Sequence, residues 1–305
     1  MNPIAARTLI VHHMLRAALL AGFALLIVYL KQKGELPLFV APRTEQAVKL
    51  SALGLYAAAA YQAYSAFRLW RDNRMSDACD CGHDHAPSPS IVRNMLIYGL
   101  FALPLLLGFL LPHAPLNSVL AEKKGVSFTG LSTHPSAATP PSNESSSGDK
   151  GNGVASLDAL FPADEYTHAY AEFAKRLYKR EQIVVEDNLF IETLTTLDLY
   201  QQPFVGSKVT LTGFVYRDGH MRDDQFAVSR FAMTCCSADA LPYGLLAQSA
   251  DAKNYANDSW VTLTGIVTTT QWQGQSVIML TATDITPVAI DHRDAYVYPN
   301  YEFDL

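Results

Sequence analysis

Three apolar runs occupy the first third of the chain, and they constrain the fold more than any other feature. Leu9–Leu30, Ala47–Trp70 and Met95–Leu111 each approach the length that spans a hydrocarbon core, about 17–25 residues in a helix. We read them as three transmembrane helices. The first is densest over Ala17–Leu30. A cleaved signal peptide fits it less well, because Lys31-Gln32-Lys33-Gly34 follows in place of a small-x-small cleavage site. The second is the least apolar, and its many small residues suit packing against another helix. His12 and Arg16 lie four apart on one helix face. The simplest place for them is the interface, snorkelling outward; the functional alternative is a polar contact with a partner membrane subunit or its substrate pathway. The loop between the second and third runs holds four cations, Arg68, Arg71, Arg74 and Arg93, against three, Lys31, Lys33 and Arg43, in the first loop; Arg7 precedes the first run, and Lys123 and Lys124 follow the third. That bias predicts a cytoplasmic N-terminus and second loop, and an extracytoplasmic C-terminal domain.

Charge divides the chain the same way. Residues 1–156 carry 13 Lys+Arg and 9 Asp+Glu, a net of +4, whereas residues 157–305 carry 10 and 20, a net of −10. An acidic C-terminal half argues against nucleic acid as its partner, because phosphate binding needs a basic surface. The predicted organisation is a transmembrane region over 1–112 with a Cys/His loop at 71–94, a disordered linker over 113–156, and a soluble domain over 157–305. Within the linker, Pro135–Gly148 is low-complexity, rich in Ser, Pro and Ala and free of large apolar residues, which predicts a flexible tether.

The four cysteines fall in two close pairs, too few for a disulfide scaffold of this size. Cys79, Cys81, His83 and His85 alternate within seven residues, with Asp80, Gly82 and Asp84 between them. Alternate residues of an extended chain share a side, and Gly82 permits a bend, so the four could converge on a transition metal ion, zinc first or copper(I). The spacing is not C-x-x-C and the flanks are polar, so a sampling tract fits better than a rigid structural site. A polar loop with chance ligands stays open.

In the soluble half, Tyr166, Tyr170, Phe173 and Leu177 recur at helical spacing and predict a helix over Ala163–Glu181 with an aromatic packing face. A short strand at Ile183–Val185 and a helix over Leu189–Leu199 precede a β-rich stretch. Val209-Thr-Leu-Thr-Gly213 returns unchanged as Val261-Thr-Leu-Thr-Gly265, each copy alternating apolar and polar and ending at a Gly that permits a bulge or bend. Gln225–Thr234, Gly244–Ala247 and Ser276–Val288 supply further strands. Five or six strands with little helix predict a small OB-like Greek-key barrel preceded by a helix, with a sandwich as the alternative. The repeated pentapeptide then marks two equivalent strands of one barrel, since about 50 residues is small for two separate cores.

Arg230, Cys235, Cys236 and Asp239 form the densest functional candidate. In a regular strand the adjacent thiols would point to opposite faces, so a shared task requires the strand to end before them. Three readings stand: two small buried residues, a metal or thiol-ligand site with Asp239, and a redox pair. Arg230 could pair with Asp239 or lower a thiol pKa. His168, His220 and His292 are scattered and read as surface residues.

These motifs resemble a bacterial family of two-component membrane permease subunits. The resemblance rests on the N-terminal helices, Gly34-Glu-Leu-Pro-Leu-Phe-Val-Ala-Pro-Arg43 and Cys81-Gly-His-Asp-His85. It extends to Phe204-Val-Gly-Ser-Lys-Val-Thr-Leu-Thr-Gly-Phe-Val-Tyr216, Arg230…Cys235-Cys236-Ser-Ala-Asp-Ala240 and Trp260-Val-Thr-Leu-Thr-Gly265. It implies a polytopic permease partner in the bacterial plasma membrane, and a subunit that is not itself a solute channel. The function expected is therefore that of a non-catalytic accessory subunit, in contact with membrane lipid and a permease subunit and possessing a metal-related site. A membrane-tethered thiol oxidoreductase and a protein-interaction tether using Cys235/Cys236 are the alternatives.

Overall fold

A computed structural model describes residues 3–72, 90–112, 114–128, 157–291 and 294–303. The chain divides into two compact units, Met1–Ala114 and Pro115–Leu305.

The first unit is helical: α1 (Pro3–Lys33), α2 (Pro42–Asp72) and α3 (Ile91–Leu110). Ser90 caps α3 by accepting from the Arg93 N–H, which satisfies one donor of its first turn. Two stretches among the described residues are long and apolar enough to cross a membrane, Arg7–Lys33 and Val92–Leu110. The helix α2 has the length but carries Arg43, Glu45, Lys49, Arg68 and Arg71. Its buried residues Ala52, Ala59 and Ala66 recur every seven positions, and Ala17 and Ala24 do the same on α1. A seven-residue spacing keeps small side chains on one seam between two helices, and α1 and α2 pack against each other.

The helices α1 and α3 meet over a shorter stretch, closely at two glycines. A Cβ on Gly22 would lie 2.5 Å from Leu105 Cδ2, and one on Gly108 would lie 2.8 Å from Leu26 Cδ2. His12 is buried with Nδ1 at 2.8 Å from the Tyr98 hydroxyl of α3, and His13 Nδ1 lies 2.6 Å from Gln62 Oε1 of α2. His12 therefore does not snorkel outward as expected; a partner within the chain satisfies its ring nitrogen. Arg16, on the same stripe, is exposed.

The second unit is built on a seven-stranded mixed sheet. Its strands are β1 (Gln182–Val184), β2 (Lys208–Tyr216), β3 (Gln225–Ala232), β4 (Leu241–Gln248), β5 (Trp260–Trp272), β6 (Gln275–Pro287) and β7 (Tyr296–Val297). Their order is β1-β2-β5-β6-β4-β3-β7, with a further β2–β3 pairing. Pairing thus returns to its start through β2, β5, β6, β4 and β3. All of these neighbours are antiparallel except β4 and β6.

The two copies of the pentapeptide are direct neighbours. Val209 faces Gly265, Leu211 faces Leu263 and Gly213 faces Val261, so one sequence read in opposite directions pairs with itself. Its apolar positions Val209, Leu211, Val261 and Leu263 are buried. Its threonines meet on the other face, Thr210 with Thr264 and Thr212 with Thr262, each pair at 2.8 Å between hydroxyls. The terminal glycines are there because backbone passes close by: a Cβ at Gly213 would lie 2.6 Å from the Ser229 carbonyl oxygen, and one at Gly265 2.8 Å from that of Thr281. The β5–β6 register slips between Thr264 and Gly265, the bulge expected of such a glycine. The segment Ser276–Val288, which sequence left as a strand pair or one bent strand, is essentially the single strand β6.

Short helices cover the sheet: α4 (Ser118–Lys124), α5 (Leu157–Leu160), α6 (His168–Tyr178), α7 (Phe190–Leu199) and α8 (Gln201–Phe204). The core joins Phe173, Leu177, Phe190, Leu194 and Leu197 of the helices to Val209, Leu211, Val228 and Leu263 of the strands. The helix α6 is shorter than the predicted Ala163–Glu181, because Asp164 instead closes a turn by accepting from the N–H groups of Tyr166 and Thr167. Residues 114–128, placed in the tether by composition, carry α4. Asp258 accepts from the Ser118 N–H at 2.6 Å and from its hydroxyl at 2.7 Å, and Ser127 bridges Tyr243 of β4. Residues 129–156 of that tether lie outside the described residues.

Candidate functional site

The site forms where β3 stops. Its backbone ladder runs to Ala232, and the Met233 N–H then donates to the Val297 carbonyl at 3.0 Å. Ala232 and Met233 are buried, whereas Thr234 and Cys235 are exposed and Cys236 is half-buried. Because the strand has ended, alternation no longer sends the two thiols to opposite faces. Cys235 Sγ lies 3.6 Å from Cys236 Sγ, and no disulfide joins them.

Asp239 holds this loop. Its Oδ1 accepts from the Thr234 N–H at 3.0 Å, and its Oδ2 from the N–H groups of Cys235 at 2.7 Å and Cys236 at 3.4 Å. The Asp239 N–H donates in turn to the Cys236 carbonyl at 3.0 Å. From α4, Lys124 Nζ donates to the carbonyls of Ala238 and Ala240 at 3.1 and 2.6 Å. Sequence reasoning missed Lys124, which lies more than a hundred positions away and carries no local signal.

Burial pushes the Asp239 carboxyl up, but hydrogen bonds from the Cys235 thiol and from the N–H groups of Cys235, Thr234 and Cys236 outweigh it and hold the group below the usual carboxylate range. The Cys235 thiol is pushed up to about 12, first by its hydrogen bond to Asp239, then by Cys236 and by burial. A carboxylate beside a thiol favours the protonated form, so Cys235 is poorly set for thiolate attack at neutral pH.

Cys235 Sγ, Cys236 Sγ and an Asp239 oxygen all lie within 4.8 Å of one another. Two sulfurs bound to one tetrahedral zinc at about 2.3 Å stand about 3.8 Å apart. The separation of 3.6 Å is close to that edge, so the donor set fits three protein ligands and one open position. Loading must displace the thiol proton that Asp239 now holds, so affinity should fall with pH.

Arg230 belongs to a different arrangement. It is buried in β3, donates to Asp187 Oδ1 and to the Asp294 carbonyl, and lies over the rings of Phe190 and Trp260 at 5.8 and 5.6 Å. Its ion pair is with Asp187, not Asp239, and Cys235 is raised where a neighbouring guanidinium would have lowered it. The reason is register: two-residue alternation places Arg230 with Ala232 on one side of β3, before the turn carries the cysteines away. Arg230→Met should therefore cost about 2–3 kcal/mol in urea unfolding, below a fully buried pair because Asp187 is 68% exposed. It should leave the alkylation rates of both thiols unchanged; a marked change in either rate would return Arg230 to the site.

Cys79, Cys81, His83 and His85 lie outside the described residues, as does His292. His168 and His220 are exposed. Among the described residues, the group at Cys235, Cys236 and Asp239 is the one with metal-ligating geometry.

Comparison with known proteins adds to this. Residues 15–127 match the DUF1980 N-terminal domain and residues 160–299 the DUF1980 C-terminal domain. The UPF0703 protein YcgQ of Bacillus subtilis (strain 168) is 25% identical over 185 residues, covering 59% of this chain and 60% of that protein. A protein of Streptococcus mutans serotype c, provisionally named a two-component membrane permease complex subunit, is 26% identical over 167 residues, covering 54% of this chain and 59% of its own length. The matches thus span about three-fifths of each curated relative. A chain of a replication protein A heterotrimer bound to single-stranded DNA aligns over 30% of this chain and 63% of its own, at 19% identity and a TM-score of 0.18. That score is too low to carry a fold assignment.

Proposed function

Because this chain belongs to the DUF1980 family through both its N-terminal and its C-terminal domain, we propose that it is an accessory, non-catalytic subunit of a two-component membrane permease complex. The observation that carries this reading is the S. mutans relative and its provisional name. The helical unit agrees with it. Leu50, Leu53, Tyr56, Tyr61 and Tyr64 of α2, and Met95, Leu96, Leu100 and Leu103 of α3, are exposed. Such surfaces suit lipid or another membrane protein. The few polar groups between the helices, His12–Tyr98 and His13–Gln62, bond within the chain, which makes a poor solute path and calls for a polytopic partner.

In this reading α2 joins α1 and α3 as a third span in the bacterial plasma membrane, docked through its alanine seam. The C-terminal unit is extracytoplasmic and OB-like. The ring of pairings β2-β5-β6-β4-β3, with β4 and β6 parallel, supports a closed barrel. Its net charge of −10 disfavours nucleic acid. Cys235, Cys236 and Asp239 would present a transition metal, zinc first, to the complex. Cys79, Cys81, His83 and His85 would sample metal on the other side. The oxidoreductase alternative is weakened by the raised Cys235 thiol and the missing C-x-x-C spacing.

The test is purification of the tagged full chain from its native membranes. A polytopic permease subunit should co-purify at fixed stoichiometry. Exchange of residues 1–112 for an unrelated three-span anchor should lose it. Elemental analysis should find zinc near one per chain at the C-terminal site, absent after Cys235→Ser/Cys236→Ser in a Cys79→Ser/Cys81→Ser background. Recovery of the chain alone overturns the subunit role, and zinc retained by the quadruple variant overturns the metal site.

A further inference from the structure

A cavity of about 400 Å³ opens between α6, α7 and the C-terminal residues 299–303, beside the cysteine loop. Its most unusual wall residue is Glu192. This carboxyl sits in α7, in a turn whose other residues Ile191, Thr193, Leu194 and Thr195 are all buried, and Glu192 itself is only 3% exposed. Oε1 accepts from the Asn300 N–H at 2.7 Å. Oε2 is buried and has no hydrogen-bond partner among the described residues. An unmatched carboxyl oxygen in the interior is costly unless something completes it. Burial raises the Glu192 carboxyl above its usual range, and nothing cationic offsets this.

The rest of the lining gives the chemistry of what would complete it. Asp239 adds a second carboxyl, Tyr170 and Thr195 add hydroxyls, and Tyr170, Tyr301 and Phe303 add aromatic rings; among the described residues no Lys, Arg or His lines the cavity. The Asp239 oxygens are already engaged by three backbone N–H groups, which leaves Glu192 as the primary counter-charge. Apolar walls, aromatic rings and a buried carboxyl without a cation match the requirements of an organic ammonium, which needs both a counter-ion and a ring face. A bare divalent ion fits less well, since one available carboxyl cannot supply the several charged oxygens it prefers.

We infer that this cavity is a binding site for a small organic cation of the primary-ammonium class, with the ammonium beside the Glu192 carboxyl and the carbon chain against Tyr170 and Phe303. The cavity shares Asp239 with the cysteine loop but takes its counter-charge from Glu192, and it does not depend on the subunit reading. It also explains why the C-terminal residues fold over α7: the Asn300 N–H holds Oε1, and Arg176 Nη2 holds the Phe303 carbonyl at 2.7 Å. Together these contacts keep the lid of the cavity in place.

Calorimetry on the detergent-solubilised full chain tests this, with n-butylammonium as the probe and butyramide as its neutral isostere. Saturable binding of n-butylammonium, at least tenfold tighter than butyramide, is expected. Glu192→Gln should weaken it at least tenfold. Leu241→Trp, which places bulk at the rim from a 42% exposed position, should block it while leaving thermal unfolding unchanged, and this second variant guards against misfolding of the first. Cys235→Ser/Cys236→Ser should bind as the parent does. No saturable binding, equal affinity for butyramide, or full binding by both cavity variants overturns the proposal.

Discussion

Asp239→Asn should make Cys235 react with iodoacetamide faster at pH 8, by up to about 30-fold. In the parent protein the thiol donates to Asp239, and its pKa is pushed up from an ordinary 9.0 to about 12. Removal of the negative charge takes away the largest cause and lowers it toward 9, while Cys236 and burial still act, so the thiolate population rises by at most about 1000-fold at pH 8. The less basic thiolate is also a weaker nucleophile. With a Brønsted coefficient of about 0.5, half of the logarithmic gain is lost, which leaves at most about 30-fold. Asn keeps one carbonyl oxygen for the loop N–H groups, so the turn has a means to persist. The pH profile gives a second reading. Parent labelling of Cys235 should still be climbing at pH 10, whereas the variant should level off near 9. Peptide-resolved mass spectrometry separates Cys235 from the other three cysteines. An unchanged or slower rate would show that Asp239 does not hold the thiol proton.

Phe161→Ala should remove about 3–5 kcal/mol of stability from the C-terminal unit, the usual cost of emptying a buried phenylalanine site. That is a large share of the roughly 5–15 kcal/mol typical of a domain. Phe161 is 1% exposed and is the hub of an aromatic cluster. Its ring centroid lies 5.3 Å from Tyr200, 5.6 Å from Tyr178 and 5.7 Å from Phe204. The Tyr200 hydroxyl donates to the Pro162 carbonyl at 3.0 Å and fixes the next peptide. One ring therefore ties residues 157–162 to α6, α7 and α8. Urea unfolding of the full chain, followed by the fluorescence of Trp260 and Trp272 on β5, reads the effect. Phe161→Leu, which leaves a smaller void, should cost distinctly less. A loss under about 1 kcal/mol for the Ala variant would mean that this segment is not docked on the sheet.

Elements with strong period were legible in the sequence. The Val-Thr-Leu-Thr-Gly copies announced two strands with buried Val and Leu, because alternation alone fixes which face is apolar. The helix Phe190–Leu199 and the strand β3 also fell close to their expected bounds, as apolar runs buried along almost their whole length. The start of the tether did not read correctly. Residues 114–128 hold too few apolar residues in a row to announce an element in isolation, yet Asp258 accepts from Ser118 and Lys124 reaches two carbonyls beyond the cysteines. Those partners lie more than a hundred residues away, where no local pattern can register them.

The candidate site divides along the same line. Sequence brought Cys235, Cys236 and Asp239 together, because a carboxylate three or four residues on can turn back to the N–H groups of a loop. It also drew in Arg230, which spacing alone cannot separate from them. The register of β3 separates it: Arg230 remains in the ladder facing Phe190 and Trp260, while the chain leaves the sheet after Ala232. Glu192 illustrates the opposite case, a single acid in an apolar helix turn whose importance depends on the residues that close over it. Composition and periodicity by themselves determined the apolar helices, the charge contrast and the paired repeat, since these are properties of neighbouring residues. Which strand closes the ring, which carboxyl is left without a partner, and which cation meets which acid were decided only by the tertiary structure, because burial and hydrogen bonding depend on residues that the chain brings together from far apart.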